Sequence, residues 1–142
     1  MSIRLEENQI RNLQQIEAGI SGPDGANRLY TINGELGDPG TSGGLWSGSG
    51  AETFTVLVGP VFTRQQFARA IAYASVSGAS IAVMTTDVDA SARWHLVDVA
   101  AGWDDESGRV ELRVGIAAMG QRAEVSIITV GFTVTILAEI AP

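Results

Sequence analysis

Cysteine and lysine are both absent from this 142-residue chain, and histidine occurs once, at His95. Without cysteine there is no disulfide, no thiolate nucleophile and no sulfur-ligated zinc. Without lysine there is no Schiff base, P-loop lysine or lysine general base, and all nine cations are arginines. Any histidine triad or proton shuttle would have to pass through His95, whose place beside Trp94 at a strand start reads as that of a packing residue. The cations are outnumbered by sixteen acidic residues, giving a net charge of −7 and a pI near 4.5. Such a field repels phosphate backbones and anionic lipid, so no nucleic-acid partner is expected. A G-x-S-x-G elbow is missing too, because Gly44-Leu45-Trp46-Ser47-Gly48 has the wrong spacing.

Long apolar runs are equally scarce. The longest, Val125 to Ala138, lies between Glu124 and Glu139 and falls short of the roughly 20 residues of a spanning helix, so no membrane insertion is expected. The opening MSIRLEENQIRN lacks the apolar centre of a signal peptide, which points to cytoplasmic synthesis without Sec-type export.

What the chain does have is β-branched residues and 17 glycines. Val125 to Ala138 reads as a strand, with Ile128, Val130, Phe132, Val134, Ile136 and Ala138 on a core face and Thr129, Gly131, Thr133 and Thr135 opposite. Phe54 to Phe62, Ala79 to Val88, Arg93 to Trp103 and Arg109 to Ile116 read as further strands, with turns at Ser77-Gly78, Asp89-Ala90-Ser91 and Asp104 to Gly108. Period 2 puts His95, Val97, Val99, Ala101 and Trp103 on one face and Trp94 on the other, so one tryptophan is expected at an interface. Thr63 to Val76 fits two readings. Thr63 and Gln66 form a capping-box pattern ahead of Phe67, Ala70, Ile71 and Ala74 at helical spacing, while alternation of Phe67, Arg69, Ile71 and Tyr73 with alanines fits a strand.

Upstream, Ile3 to Ile20 has helical composition and ends at Gly22-Pro23. Ile3, Ile10, Leu13 and Ile20 occupy heptad seam positions that Glu6 and Glu17 interrupt. So short a helix must dock, either on its own domain or on another chain. From Asn33 to Gly50 seven glycines crowd around Leu45-Trp46, a composition that favours a mobile connector. The expected organisation is an N-terminal helix at 1–22, a Gly-rich linker at 23–52 and a sandwich at 53–142. The fold class is all-β, an antiparallel β-sandwich of about six strands.

No residue constellation names a reaction, and a non-enzymatic role without a cofactor is expected. Candidate interface residues are Ile3, Ile10, Leu13 and Ile20, with Arg109, Glu111 and Arg113 alternating along one strand face. Trp46 and Trp94 are candidate ligand-stacking residues, and Asp87 and Asp89 candidate ligand-binding carboxylates. Asp104, Asp105 and Glu106 have the oxygens for a hard cation but also the composition of a turn; no metal site is assigned.

In the spacing of Phe67 to Trp103 and in Gly131-Phe132-Thr133-Val134 the chain resembles small six-stranded sandwiches such as the H-type lectins, which form trimers. Jelly-roll sandwiches are the alternative architecture. As an acidic sandwich without cysteine, with an expected short N-terminal helix and a glycine-rich connector, it also resembles virion proteins of phage and injection machines. These resemblances imply a self-associating subunit of a phage-like virion or tail particle, a homo-oligomer of three or more copies with other particle proteins or surface glycans as partners. The alternative they imply is a carbohydrate-binding module.

Overall fold

The computed structural model describes residues 2–22, 25–37, 44–83 and 89–140. Alternation of apolar with polar or small residues dominates them, and strands result: β1 (Ser2–Leu5), β2 (Ile10–Gly22), β3 (Gly25–Leu36), β4 (Trp46–Ser47), β5 (Gly50–Val58), β6 (Phe67–Val83), β7 (Ser91–Trp103), β8 (Val110–Gln121) and β9 (Ala123–Glu139). They form two sheets. One has the order β1-β5-β8-β7, with β1 parallel to β5 and the other pairs antiparallel. In the other, β9 is central: β6 lines one of its edges, β3 and then β4 line the opposite edge, and β2 pairs outside β3.

The sheets stack sandwich-like over one core. Phe54, Val56 and Val58 of β5 and Val110, Leu112, Val114 and Ile116 of β8 meet Tyr30, Ile32 and Leu36 of β3 and Val130, Phe132, Val134 and Ile136 of β9. Burying a side chain of this size contributes about 1.5–3 kcal/mol.

The expected N-terminal helix does not form. Residues 2–22 instead fold as β1, a 3-10 turn at Glu7–Gln9 and β2. Glu6 and Glu17 had left no continuous apolar helix face, whereas β3 offers an antiparallel partner from Leu36 to Gly25. Pairing across the sheet overrides local propensity. The linker expected at 23–52 is likewise strand over Gly25–Leu36, and Gly34 is buried there. A Cβ on Gly34 would lie 2.6 Å from Ile10 Cγ2 and 2.9 Å from Phe132 Cζ, so glycine allows close packing at this point rather than mobility. Gly40 and Gly43 of that stretch lie outside the described residues.

Of the two readings of residues 63–76 the strand holds from Phe67 onward, and the helix does not form. The capping box closes, with Thr63 N–H donating to Gln66 Oε1 at 2.9 Å and Gln66 N–H to Thr63 Oγ1 at 3.3 Å, but it makes a single turn before β6 begins at Phe67. No turn interrupts β6 at Ser77-Gly78. The strand runs through Gly78 with register shifts on both sides, which merges two expected strands into one.

Bulges also correct the predicted faces. Between Leu96 and Asp98 β7 slips against β8, so Trp94 and Leu96 before the slip and Ala101 and Trp103 after it all pack towards the core. The two tryptophans therefore share a face, while His95 and Val97 are exposed. Gly115 sits opposite the bulge, where an added Cβ would meet Val97 Cγ2 at 3.2 Å. In β9 a similar slip opposite Gly78 buries Val125 and Ile127 early and Val130 onward later, leaving Ile128 off the core face.

The passage from β8 to β9 is a tight corner, with Arg122 at φ 56° and the site of a Gly120 Cβ only 2.0 Å from the Ala123 carbonyl oxygen. Gly120→Ala is expected to destabilise the protein by about 2 kcal/mol or more, because backbone rather than a side chain must give way. Gly102→Ala, where a Cβ meets nothing within 4 Å, is expected to be neutral or stabilising by up to about 1 kcal/mol. Urea denaturation of the two variants measures the contrast.

Candidate functional site

Two solvent-facing sheet surfaces carry the chemistry. On the outer face of the four-stranded sheet, cross-strand register places Arg4, Thr55 and Arg113 in one row and Ser2, Thr53, Gly115 and Asp98 in the next. Ser2, Arg4, Thr53, Thr55, Asp98 and Arg113, together with Glu111, bound a shallow trough of about 510 Å³. Both of its arginines are engaged with Glu111. Arg4 Nη2 donates to Glu111 Oε2 at 2.8 Å, and Arg113 Nη2 lies 3.9 Å from Glu111 Oε1. Pairs this exposed are each worth about 0–1 kcal/mol. Thr55 is the only buried polar side chain among the described residues, between the rows' two arginines.

On the outer face of the five-stranded sheet a row of uncharged side chains crosses from β2 to β6: Gln14, Asn33, Thr133 and Tyr73. The adjoining row, Ile16, Thr31, Thr135 and Ile71, is more apolar. Thr133 Oγ1 donates to Asn33 Oδ1 at 2.7 Å, and the Ser77 and Thr129 hydroxyls are 2.8 Å apart. Tyr73 and Ile71 project freely, 70% and 63% exposed.

The residues singled out from sequence are scattered over this framework. Ile10 is buried in the core; Ile3 and Leu13 are exposed; Ile20 lies in β2 opposite Asn27. Arg109 is held internally, its Nη2 2.9 Å from Glu7 and its Nε donating to the Gly59 carbonyl at 2.7 Å. Glu111 and Arg113 share the trough with Arg4, a partner that sequence spacing could not reveal. Trp46 and Trp94 are half-buried against the core. Asp89 is exposed in a turn, and Asp87 lies outside the described residues. Tyr73 was missed as a surface aromatic. The signal for it was the alanine alternation of β6, which leaves the odd-numbered side chains from Arg69 to Ser75 outside.

No group of three carboxylate or histidine side chains among the described residues could hold a metal ion. At the acidic turn, Asp104 Oδ2 instead accepts from Ser107 Oγ at 2.7 Å and Ser107 N–H at 3.1 Å. The indole Nε1 of Trp103 caps the same corner, donating to the Phe62 and Gly108 carbonyls at 3.1 and 3.0 Å. None of the described helical residues forms a helix long and apolar enough to cross a membrane. No protein-family model, no curated protein and no solved structure matches the chain.

The Ser107 hydroxyl and backbone bonds lower the Asp104 pKa below its ordinary 3.8. A carboxylate depressed on folding stabilises above the unfolded value and loses that contribution as pH falls through the folded one. Asp104→Asn is therefore expected to melt below the wild type at pH 7, and the gap is expected to narrow as the pH falls below about 4. Calorimetry across that range checks the sign.

Proposed function

We propose that this chain is a non-enzymatic structural subunit of a phage-like virion or tail particle, self-associating as a trimer or larger ring. The observation that carries the reading is β2. From Arg11 to Gly19 every residue of this strand is exposed, on both faces, and its outer edge is unpaired among the described strands. Leu13 is 38% and Ile16 62% exposed. A strand held by one neighbour and covered on neither face is marginal in water, and a long edge is a template for another chain. A second copy laid on β2 supplies the missing contacts and hides both side chains.

Ile10 already serves its own core, so the proposed contact centres on Leu13 and Ile16, with Ile3 nearby in sequence on β1. The mutual pairing of Arg4, Glu111 and Arg113 supports a structural reading of the opposite sheet, since those charges bind one another. The finer fold assignment, a jelly-roll or H-type-lectin-like sandwich, belongs to the same proposal and is supported by two stacked, mostly antiparallel sheets.

Light scattering coupled to size exclusion, at two concentrations, is the test. The full chain is expected at three or more times the 14.9 kDa of one copy. Ile16→Glu is expected to lower that mass while leaving the melting temperature within a few degrees, because an exposed site carries little folding energy. A monomer at both concentrations overturns the proposal.

A further inference from the structure

We infer that the outer face of the five-stranded sheet holds a saccharide-binding trough centred on Tyr73, built for a neutral hexopyranose or its N-acetyl derivative. The inference goes beyond the assembly reading and uses β6 and β9 rather than β2. The trough measures about 310 Å³, at the lower end of the roughly 300–1,000 Å³ of small-molecule sites. Tyr73, Asn33, Thr133, Glu35, Ser75 and Gly131 line it, with Asn12 at its rim.

Each part has a chemical use. Tyr73 is 70% exposed in mid-strand, and the one aromatic pair among the described residues, Tyr30 with Phe62, does not involve it. Its ring is thus a bare apolar plate with a polar tip, the shape that packs against the C–H face of a pyranose. Gly131 forms the floor, between Glu35 of β3 and Ser75 of β6 in register. A Cβ there would meet nothing nearer than the Ser75 carbonyl oxygen at 4.0 Å, so the space above the glycine is open. The Thr133 hydroxyl donates to Asn33 Oδ1 at 2.7 Å, which fixes the amide and leaves Asn33 Nδ2 as a donor with no partner among the described residues.

Charge selects the class of sugar. Glu35 is the one ionisable carboxylate of the lining and no cation lines it; Arg11 lies opposite Glu35 on β2, outside the lining. A carboxylate accepts strongly from sugar hydroxyls and repels uronate, sulfate and phosphate groups. A planar donor, two hydroxyls, a carboxylate and an aromatic plate on one flat face suit a polyol ring.

Saturation-transfer NMR on the full chain tests this with glucose, galactose, mannose, N-acetylglucosamine, N-acetylgalactosamine, their short β-linked oligomers and glucuronate. At least one neutral sugar is expected to receive saturation, with affinity falling about tenfold or more in Tyr73→Ala and in Gly131→Thr, which fills the floor. Ile16→Glu, on β2, is expected to keep sugar binding while losing oligomer mass, which separates this inference from the assembly proposal. Silence across the neutral panel, a response to glucuronate alone, or undiminished binding in Tyr73→Ala overturns it. So does a Tyr73→Ala variant that binds no sugar in either form but loses oligomer mass, since the face is then a contact between copies.

Discussion

Strand β9 is the constraint on which the rest depends. Its 17 residues give both edges to partners, β6 along one and β3 followed by β4 along the other, while its inner face supplies Val130, Phe132, Val134 and Ile136 to the core. A strand buried on one face and paired on two edges fixes register strongly, because a one-residue slip would turn the whole valine and isoleucine set to solvent. Everything in the five-stranded sheet takes its position from it. The four-stranded sheet is in turn placed by β8, which leads into β9 through the tight corner at Gly120 to Ala123 and faces it across the core.

Within that frame, local irregularities decide what the protein shows to water. The slip at Leu96 to Asp98 turns Trp94 and Trp103 to the same inward side and leaves Val97 and His95 outside. The slip around Gly78 changes the phase of β9 and removes Ile128 from the core face. Each bulge inserts one residue into an alternation of period 2, so every side chain beyond it changes face. The trough around Tyr73 lies to one side of the Gly78 slip, where β3, β9 and β6 stay in regular register over three consecutive rows.

The distribution of burial is uneven and functionally telling. β3, β8 and β9 hold most of the core, whereas β2 buries Ile10 and, over Arg11 to Gly19, nothing more. β6 presents Ala70, Ala72, Ala74 and Val76 inward and Ile71 and Tyr73 outward, reversing the usual order of large inside and small outside. Small inward residues let β6 approach the opposing sheet, and large outward ones give the surface both its apolar row and its one bare aromatic plate.

How much of this was legible in the sequence follows from the range of the interactions involved. Alternation in Val110 to Ile116 and Val130 to Ala138 identified core strands and an all-β chain, since period-2 burial is a local property. The Asp104 to Gly108 turn and the Thr63–Gln66 box were also readable, because their bonds close within five residues. Residues 2–22 were misread as a helix and 25–36 as linker because their strand character comes from partners: β2 leans on β3, and β3 on a strand more than 90 positions further along the chain. The same holds for the surface chemistry. That Arg4 meets Glu111, or that Asn33 meets Thr133 beside Tyr73, depends on which strands are neighbours and in what register. Composition and periodicity alone determined the strands, the charge and the excluded chemistries. Only the tertiary structure, through non-local pairing and two bulges that reset the faces, decided which side chains stand together in solvent.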